Sequence, residues 1–236
     1  KDVLTRLRDR LTYLYGDKDR LWLDTKPNLR REMEMRKEKV SEREELIPLI
    51  KKQVTNSFGA QHGFAGIHVF TSAADVPDEF GIGPRLVVLA PDMFSAYSRS
   101  TTTNQAFKAA EAILLKRGEQ PRVKQNRLIF LAADYDNLSR LKDHGKTYLA
   151  WQSIVSDIEN SVLNQDLAHL TQAKNNRDDA QKHLGQSVKN TYKWLLAPLQ
   201  DAGCDIEWEV APISATAPKL VMEKIGRASC RERVSS

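Results

Sequence analysis

The chain has 236 residues, of which 41% are apolar and 28% charged, with a formal net charge of +5. This composition excludes a disordered polyelectrolyte, and no apolar run approaches the roughly 20 residues that a membrane helix needs. Two cysteines, Cys204 and Cys230, are too few for a disulfide framework, so the expected setting is the cytoplasm.

The first ten residues place Val3, Leu4 and Leu7 on one helical face, with Leu11 continuing it. No Met opens the chain, and Lys1-Asp2-Val3-Leu4 reads as helix interior, so further chain is expected upstream. Leu11–Tyr15 and Arg20–Asp24 are short, aromatic and β-prone, and Gly16-Asp17-Lys18-Asp19 between them signals a hairpin. Pro27 suits the first turn of a charged helix carrying Leu29, Met33 and Arg36. Ser41-Glu42-Arg43-Glu44 is a capping box opening a second helix with Leu46, Ile47, Ile50 and Val54 on its apolar face. Pro48 marks either a kink or a later start of that helix.

The texture changes from about Gly59. Ile67–Phe70, Arg85–Ala90 and Arg127–Ala132 are short apolar runs with the character of buried strands. Between the last two, Thr103–Arg117 aligns Phe107, Ala110, Ile113 and Leu114 as a helix that Gly118 ends, which makes a βαβ unit with parallel strands. Asp134 then caps a long helix over about 135–160, and a second follows over about 165–197. The middle of this second helix, Lys174–Gln181, is almost wholly polar and must meet solvent or carry ion pairs. Ile206, Trp208 and Val210 alternate with acids in a final half-exposed strand. The fold class is therefore α/β: the end of a winged-helix-like hairpin unit over 1–56, then an α/β domain over 57–222 with a partly parallel sheet and a long helical pair.

Chemistry is sparse. No G-x-x-x-x-G-K-[ST] or G-x-G-x-x-G occurs, and Gly81-Ile82-Gly83-Pro84 precedes a strand rather than a helix, so no loop is set to cradle a phosphate. Arg85–Asp92 and Arg127–Asp134 share an apolar-strand-then-Asp pattern, which in a parallel sheet brings both aspartates to the carboxyl edge. With Asp136, Asp92 and Asp134 form a candidate carboxylate-metal site of nuclease-like type; the competing reading makes Asp134 a cap and Asp92 a turn residue. His62, His68, His144, His169 and His183 lack zinc spacing, His68 reads as a core or edge histidine, and Cys204 has no nearby His to activate it. Arg6, Arg8 and Arg10 on the first helix, Lys18 and Arg20 at the hairpin tip, and Arg30 and Arg31 beyond it form a basic cluster. A helix followed by a two-stranded hairpin is how a winged-helix domain ends, so Arg6, Arg10, Lys18, Arg20, Arg30 and Arg31 are candidate DNA contacts. Acids interleave with them, and a solvated charged face is the rival reading.

Tyr13-Leu14-Tyr15 followed by Arg20-Leu21-Trp22-Leu23-Asp24-Thr25-Lys26-Pro27-Asn28-Leu29-Arg30-Arg31-Glu32 is similar to a segment of the large bacterial predicted AAA+ ATPases known as the domain-of-unknown-function 499 family. Ile67–Phe70, Arg85–Leu89, Asn126–Asp134, Tyr148–Val155 and Thr191–Pro198 follow in that family's order, so the resemblance spans nearly all of residues 1–222. It implies a region downstream of an ATPase core that holds ATP and Mg²⁺, in proteins encoded with DNA methyltransferases and helicases in phage-defence clusters. The family's phosphate-binding motif maps nowhere on this chain, so the resemblance carries over no catalytic residue. Three roles follow as expectations: a non-catalytic segment with a DNA- or partner-binding surface, a carboxylate-metal enzyme, or a helical scaffold for protein interaction.

Ile225-Gly226-Arg227-Ala228-Ser229-Cys230-Arg231-Glu232-Arg233-Val234 matches, codon for codon, the translation of a common sequencing adapter, so residues 225–236 read as non-native. Without their three arginines and one glutamate the formal charge falls by two, from +5 to +3, and whole-chain charge says little about nucleic acid. Truncation after Lys224 is expected to leave the thermal midpoint unchanged within error. A drop of several degrees, equivalent to about 1 kcal/mol in a domain of this size, would show that the tail belongs to the fold.

Overall fold

The computed structural model describes residues 14–17, 20–23, 28–58, 63–78, 83–100, 104–123, 125–163, 165–199 and 206–213, the side chains of 14–23 and of Asn126 excepted. The expected first helix and the adapter-like tail lie outside the described residues. Two compact units emerge. One combines the described residues up to Ile50 with Arg140–Gln186, and the other combines Lys51–Ser139 with those from Ser187 onward. The sequence assigned the helical pair to the α/β domain; the contacts group most of it with the amino-terminal segment instead.

The first unit opens with the expected hairpin, β1 (Leu14–Asp17) antiparallel to β2 (Arg20–Leu23), with Leu14 opposite Leu23 and Asp17 opposite Arg20. Helix α1 (Leu29–Lys39) is capped by Asn28, whose side chain accepts from the Arg30 N–H at 2.9 Å. The helix thus begins directly after this cap, and Pro27 lies outside the described residues. Ser41 caps the next segment as expected, accepting from the Glu44 N–H at 3.3 Å. The reciprocal acid is Glu45, not Glu44, and it takes the Ser41 N–H at 2.8 Å. The shift arises because Glu42–Leu46 is a π-turn, one residue wider than an α-turn. That wide turn opens the backbone where Pro48 would otherwise press on the Glu44 carbonyl, and α2 (Ile47–Phe58) runs on through it.

The helical pair is α4 (Leu138–Glu159) and α5 (Leu167–Thr191). Leu29 and Met33 of α1 join Trp151, Ile154, Val155 and Ile158 of α4 and Ala173 and Ala180 of α5 in one buried cluster. The two alanines lie seven positions apart on one face, and their small side chains let the helices approach closely. Gly145 does the same for Leu46: a Cβ there would collide with the buried Leu46 side chain, so the helix accepts a residue that costs about 1 kcal/mol relative to Ala. Polar contacts flank this core. Arg36 reaches Glu32 at 2.7 Å and Asp157 at 2.6 Å, and Lys37 reaches Asp143 at 2.7 Å. Burial works against the Arg36 charge, but its bonds to Glu32 and Asp157 outweigh that and leave its pKa raised. The polar middle of α5 does carry pairings: Lys174 with Glu159, Arg177 with Asp178, and Lys182 with Asp179. Exposed to water and salt, they contribute little beside the burial of Trp151 and Ile154.

The second unit is a mixed sheet in the order β3-β4-β7-β8-β9, comprising β3 (Gly66–Val69), β4 (Arg85–Val88), β7 (Leu128–Ala133), β8 (Tyr192–Leu199) and β9 (Glu207–Pro212). The first three are parallel, while β8 and β9 run antiparallel. Helix α3 (Gln105–Leu115) links β4 to β7, which completes the expected βαβ unit. Its Ala106, Ala110 and Leu114, spaced one helical turn apart, lie in one buried cluster with Val87, Leu128, Phe130, Ala132, Trp194 and Leu196, alternate residues of three strands. The second helix was expected to reach residue 197, but it stops at Thr191 and Tyr192–Leu199 is a strand. Tyr192, Trp194, Leu195 and Leu196 suit either period; the open hydrogen-bonding side of β7 decides for the strand. Pro198 lies beyond the stretch paired with β7, where its missing N–H costs that ladder nothing.

After α3 the chain makes a small hairpin, β5 (Lys116–Arg117) with β6 (Gln120–Pro121), turned at Gly118 with φ +63°. This hairpin delivers Arg122 into the interior at 3% exposure. Its guanidinium donates to the carbonyls of Ile113 (3.0 Å), Val76 (3.2 Å), Pro77 (3.2 Å) and Ala73 (3.1 Å). Burial, opposed by the nearby Asp78 charge, draws its pKa down, and the carbonyls replace the lost water. Arg122→Ala leaves these carbonyls without a donor and is expected to cost about 3 kcal/mol or more in urea unfolding. Arg122→Lys should recover less than half of that, because one ammonium cannot span four acceptors. A loss under about 1 kcal/mol in the Ala variant would show the clamp to be incidental.

Candidate functional site

The carboxyl edge of the parallel strands is where the sequence placed a possible site, and the chain does converge there. Phe70 follows β3 with φ +52°, a left-handed backbone that a bulky residue adopts only when its surroundings impose it. Its N–H bonds to the Val88 carbonyl at 3.0 Å, and its ring stacks on Tyr192 at 6.0 Å. Tyr192 is buried and donates its hydroxyl to the Leu89 carbonyl at 3.2 Å. Burial first, and the Asp92 charge second, push its pKa well up, so the phenol stays protonated.

Asp134 sits at the end of β7 at 7% exposure. One carboxylate oxygen accepts from the Trp194 indole at 2.8 Å; the other accepts from the Asn137 amide and lies 3.1 Å from the Lys193 ammonium. It precedes a short 3-10 turn, Tyr135–Asn137, but makes no side-chain cap bond to the helix backbone, so its anticipated capping role passes to the sheet. The loop after β4 folds over this network. Tyr97 donates its N–H to the Ala133 carbonyl at 2.8 Å and accepts the Tyr135 N–H at 2.9 Å, acting as a one-residue extra strand. Its ring packs on Trp194 at 5.0 Å and on Phe107 at 5.8 Å, while the Arg99 guanidinium lies 4.4 Å over the Trp194 ring.

The other two candidate metal ligands have different surroundings. Asp92 accepts the Phe94 N–H at 2.8 Å and so organises a turn, and Asp136 is exposed. Among the described residues no group of three or more His, Cys, Asp or Glu is arranged to hold a metal ion. Of the basic candidates, Arg30 is exposed and Arg31 half-buried in the first turn of α1, and Arg20 begins β2. Arg6, Arg10 and Lys18 lie outside the described residues, as do Cys204 and His62. His144 and His183 meet edge to face at 5.8 Å between α4 and α5. His169 accompanies Asp166 at 2.8 Å. Trp194, Lys193 and Arg99 were not singled out in the sequence, because 192–197 reads as helix and gives no sign that it returns to β7.

No protein-family model matches the chain, and no curated protein or solved structure matches it.

What this edge can do chemically follows from its bonding. The carboxylate of Asp134 is held by three donors of its own fold, and the Trp194 ring that supplies one of them packs on Tyr97, whose ring also meets Phe107. Asp134→Ala strands a buried indole N–H and is expected to cost about 2–4 kcal/mol in urea unfolding. Asp134→Asn, which keeps an acceptor, should cost clearly less. Added Mg²⁺ or Mn²⁺ should not raise the wild-type thermal midpoint; a saturable rise that Asp134→Ala abolishes would restore the carboxylate-metal reading.

Proposed function

We propose that this chain is a non-catalytic segment of an ATP-binding, AAA+-type protein of anti-phage or DNA-associated defence, and that it offers a DNA-facing surface. The observation that carries this reading is the hairpin β1–β2, paired from Leu14–Leu23 to Asp17–Arg20, followed at once by an Asn28-capped helix with Arg30 and Arg31 in its first turn. A short antiparallel ribbon beside a basic helix start suits the flank of a duplex, where a wing meets phosphates. The occupied carboxylate of Asp134 supports a binding role over a hydrolytic one. In this reading the ATP and Mg²⁺ belong to an ATPase core elsewhere in the same protein, and a methyltransferase or helicase of the same defence system is its partner in the cytoplasm.

A partner-binding scaffold has one observation of its own. Val162 and Leu167, at the connection between α4 and α5, are 73% and 78% exposed.

The decisive measurement is fluorescence anisotropy of duplex DNA over a salt series, made with the intact parent. Lys18→Ala with Arg20→Ala should weaken binding similarly across sequences. The slope of log affinity against log salt should fall by roughly 0.9 for each phosphate that is no longer neutralised. An unchanged affinity and slope would remove the hairpin from the DNA-binding surface. The chain by itself should not bind ATP at micromolar concentration, and a saturable Mg²⁺-dependent isotherm would overturn the non-catalytic assignment.

A further inference from the structure

The loop that folds over the carboxyl edge leaves apolar side chains in water. Met93 is 57% and Phe94 70% exposed, and Tyr135, directly after β7 and Asp134, is 49% exposed. Single exposed apolar residues are ordinary, but these three belong to one place. The Tyr135 N–H bonds to the Tyr97 carbonyl at 2.9 Å. Phe94 precedes Tyr97 by three residues, so their Cα atoms are at most about 11 Å apart. The backbone beneath is already fixed, because Tyr97 is bonded to Ala133 as well and Asp92 takes the Phe94 N–H. Covering this patch therefore demands little ordering of the main chain.

Two charges border the patch without partners of their own. Arg99, two residues past Tyr97, is exposed. Its guanidinium lies over the Trp194 ring and makes no hydrogen bond or ion pair among the described residues. Asp136, next to Tyr135, is also exposed and likewise unpaired among the described residues. Phenylalanine, tyrosine, methionine and arginine are the residue types enriched where proteins meet. Asp92 and Asp136 beside them disfavour a phosphate backbone, so the patch suits protein rather than nucleic acid.

We propose that this edge is the contact surface between two copies of the chain related by a two-fold axis, with Arg99 of each copy opposite Asp136 of the other. A partner here must bring apolar surface for Phe94 and Tyr135, an acid for Arg99 and a cation for Asp136. A second copy of the same edge brings all of these. In a two-fold dimer every contact occurs twice, so the one pairing gives two ion pairs flanking the apolar side chains. The surface is independent of the hairpin β1–β2 and of Val162 and Leu167, which belong to the other compact unit.

The test is sedimentation equilibrium of the full chain in reducing buffer, which keeps Cys204 and Cys230 from cross-linking copies. The expected result is a reversible equilibrium between one copy and two. Phe94→Asp, at an exposed position, should weaken association about tenfold or more with unchanged far-ultraviolet circular dichroism. Arg99→Glu and Asp136→Arg should each weaken it comparably, because each sets like charges against one another. Combining the two should restore most of the lost affinity, since the pairs re-form with their signs exchanged. Leu167→Asp, in the other exposed apolar spot, should change nothing. A chain that remains a single copy up to its solubility limit overturns the proposal and leaves the patch to a different protein. A dimer that Phe94→Asp leaves intact, that Leu167→Asp dissociates, or that the exchanged charges fail to recover overturns it as well.

Discussion

All six residues of β7 are buried, so each of its backbone N–H and C=O groups must find a partner inside the protein. Strand β4 supplies one side in parallel and β8 the other in antiparallel register. The helical pair is inserted between β7 and β8, and after it the chain must come back as a strand to close β7. Tyr192–Leu196 meet this demand, and a run that would suit a helix is drawn into the sheet. The irregular register between Ala132 and Ala133 lies where this return begins, and Asp134 follows it directly.

The two ends of the sheet bury charge in different ways. At the carboxyl end a single buried carboxylate is surrounded by an indole, an amide and an ammonium, and the loop carrying Tyr97 and Arg99 seals the arrangement. Three donors drawn from two elements thus converge on one buried carboxylate, where the low local dielectric strengthens each bond and ties β7 to β8. At the amino end the surplus is positive: Arg122 is held by carbonyls rather than by a carboxylate, and Arg85 has no partner among the described residues.

In the helical unit, charge and packing have divided the work. Leu29 and Met33 bury against Trp151, Ile154 and Ile158, which provides the bulk of the stabilisation at about 1.5–3 kcal/mol per large side chain. Arg36 and Lys37, whose partners lie far along the chain, reach Asp157 and Asp143. They set the placement of α1 on α4 more than they add to its strength.

The sequence by itself determined the elements whose evidence is local. The hairpin of Leu14–Leu23, the strands β3, β4 and β7, helix α3 and the alternating β9 all followed from period and composition, although β3, at the sheet edge, is buried only at Val69. The Asp92–Asp134 pattern correctly located the carboxyl edge, and Ser41–Glu44 announced a helix start. Tertiary structure decided what depends on distant partners. Whether Tyr192–Leu199 is helix or strand turns on the vacant side of β7. Whether Asp134 caps a helix or binds an indole turns on Trp194, 60 residues away in the chain. Pro48 needed a π-turn, and the reciprocal acid moved to Glu45 with it. The grouping of α1 with α4 and α5 rests on Leu29, Met33, Trp151, Ile154, Ala173 and Ala180 sharing one buried cluster, a complementarity between helices that no periodicity within one segment can encode.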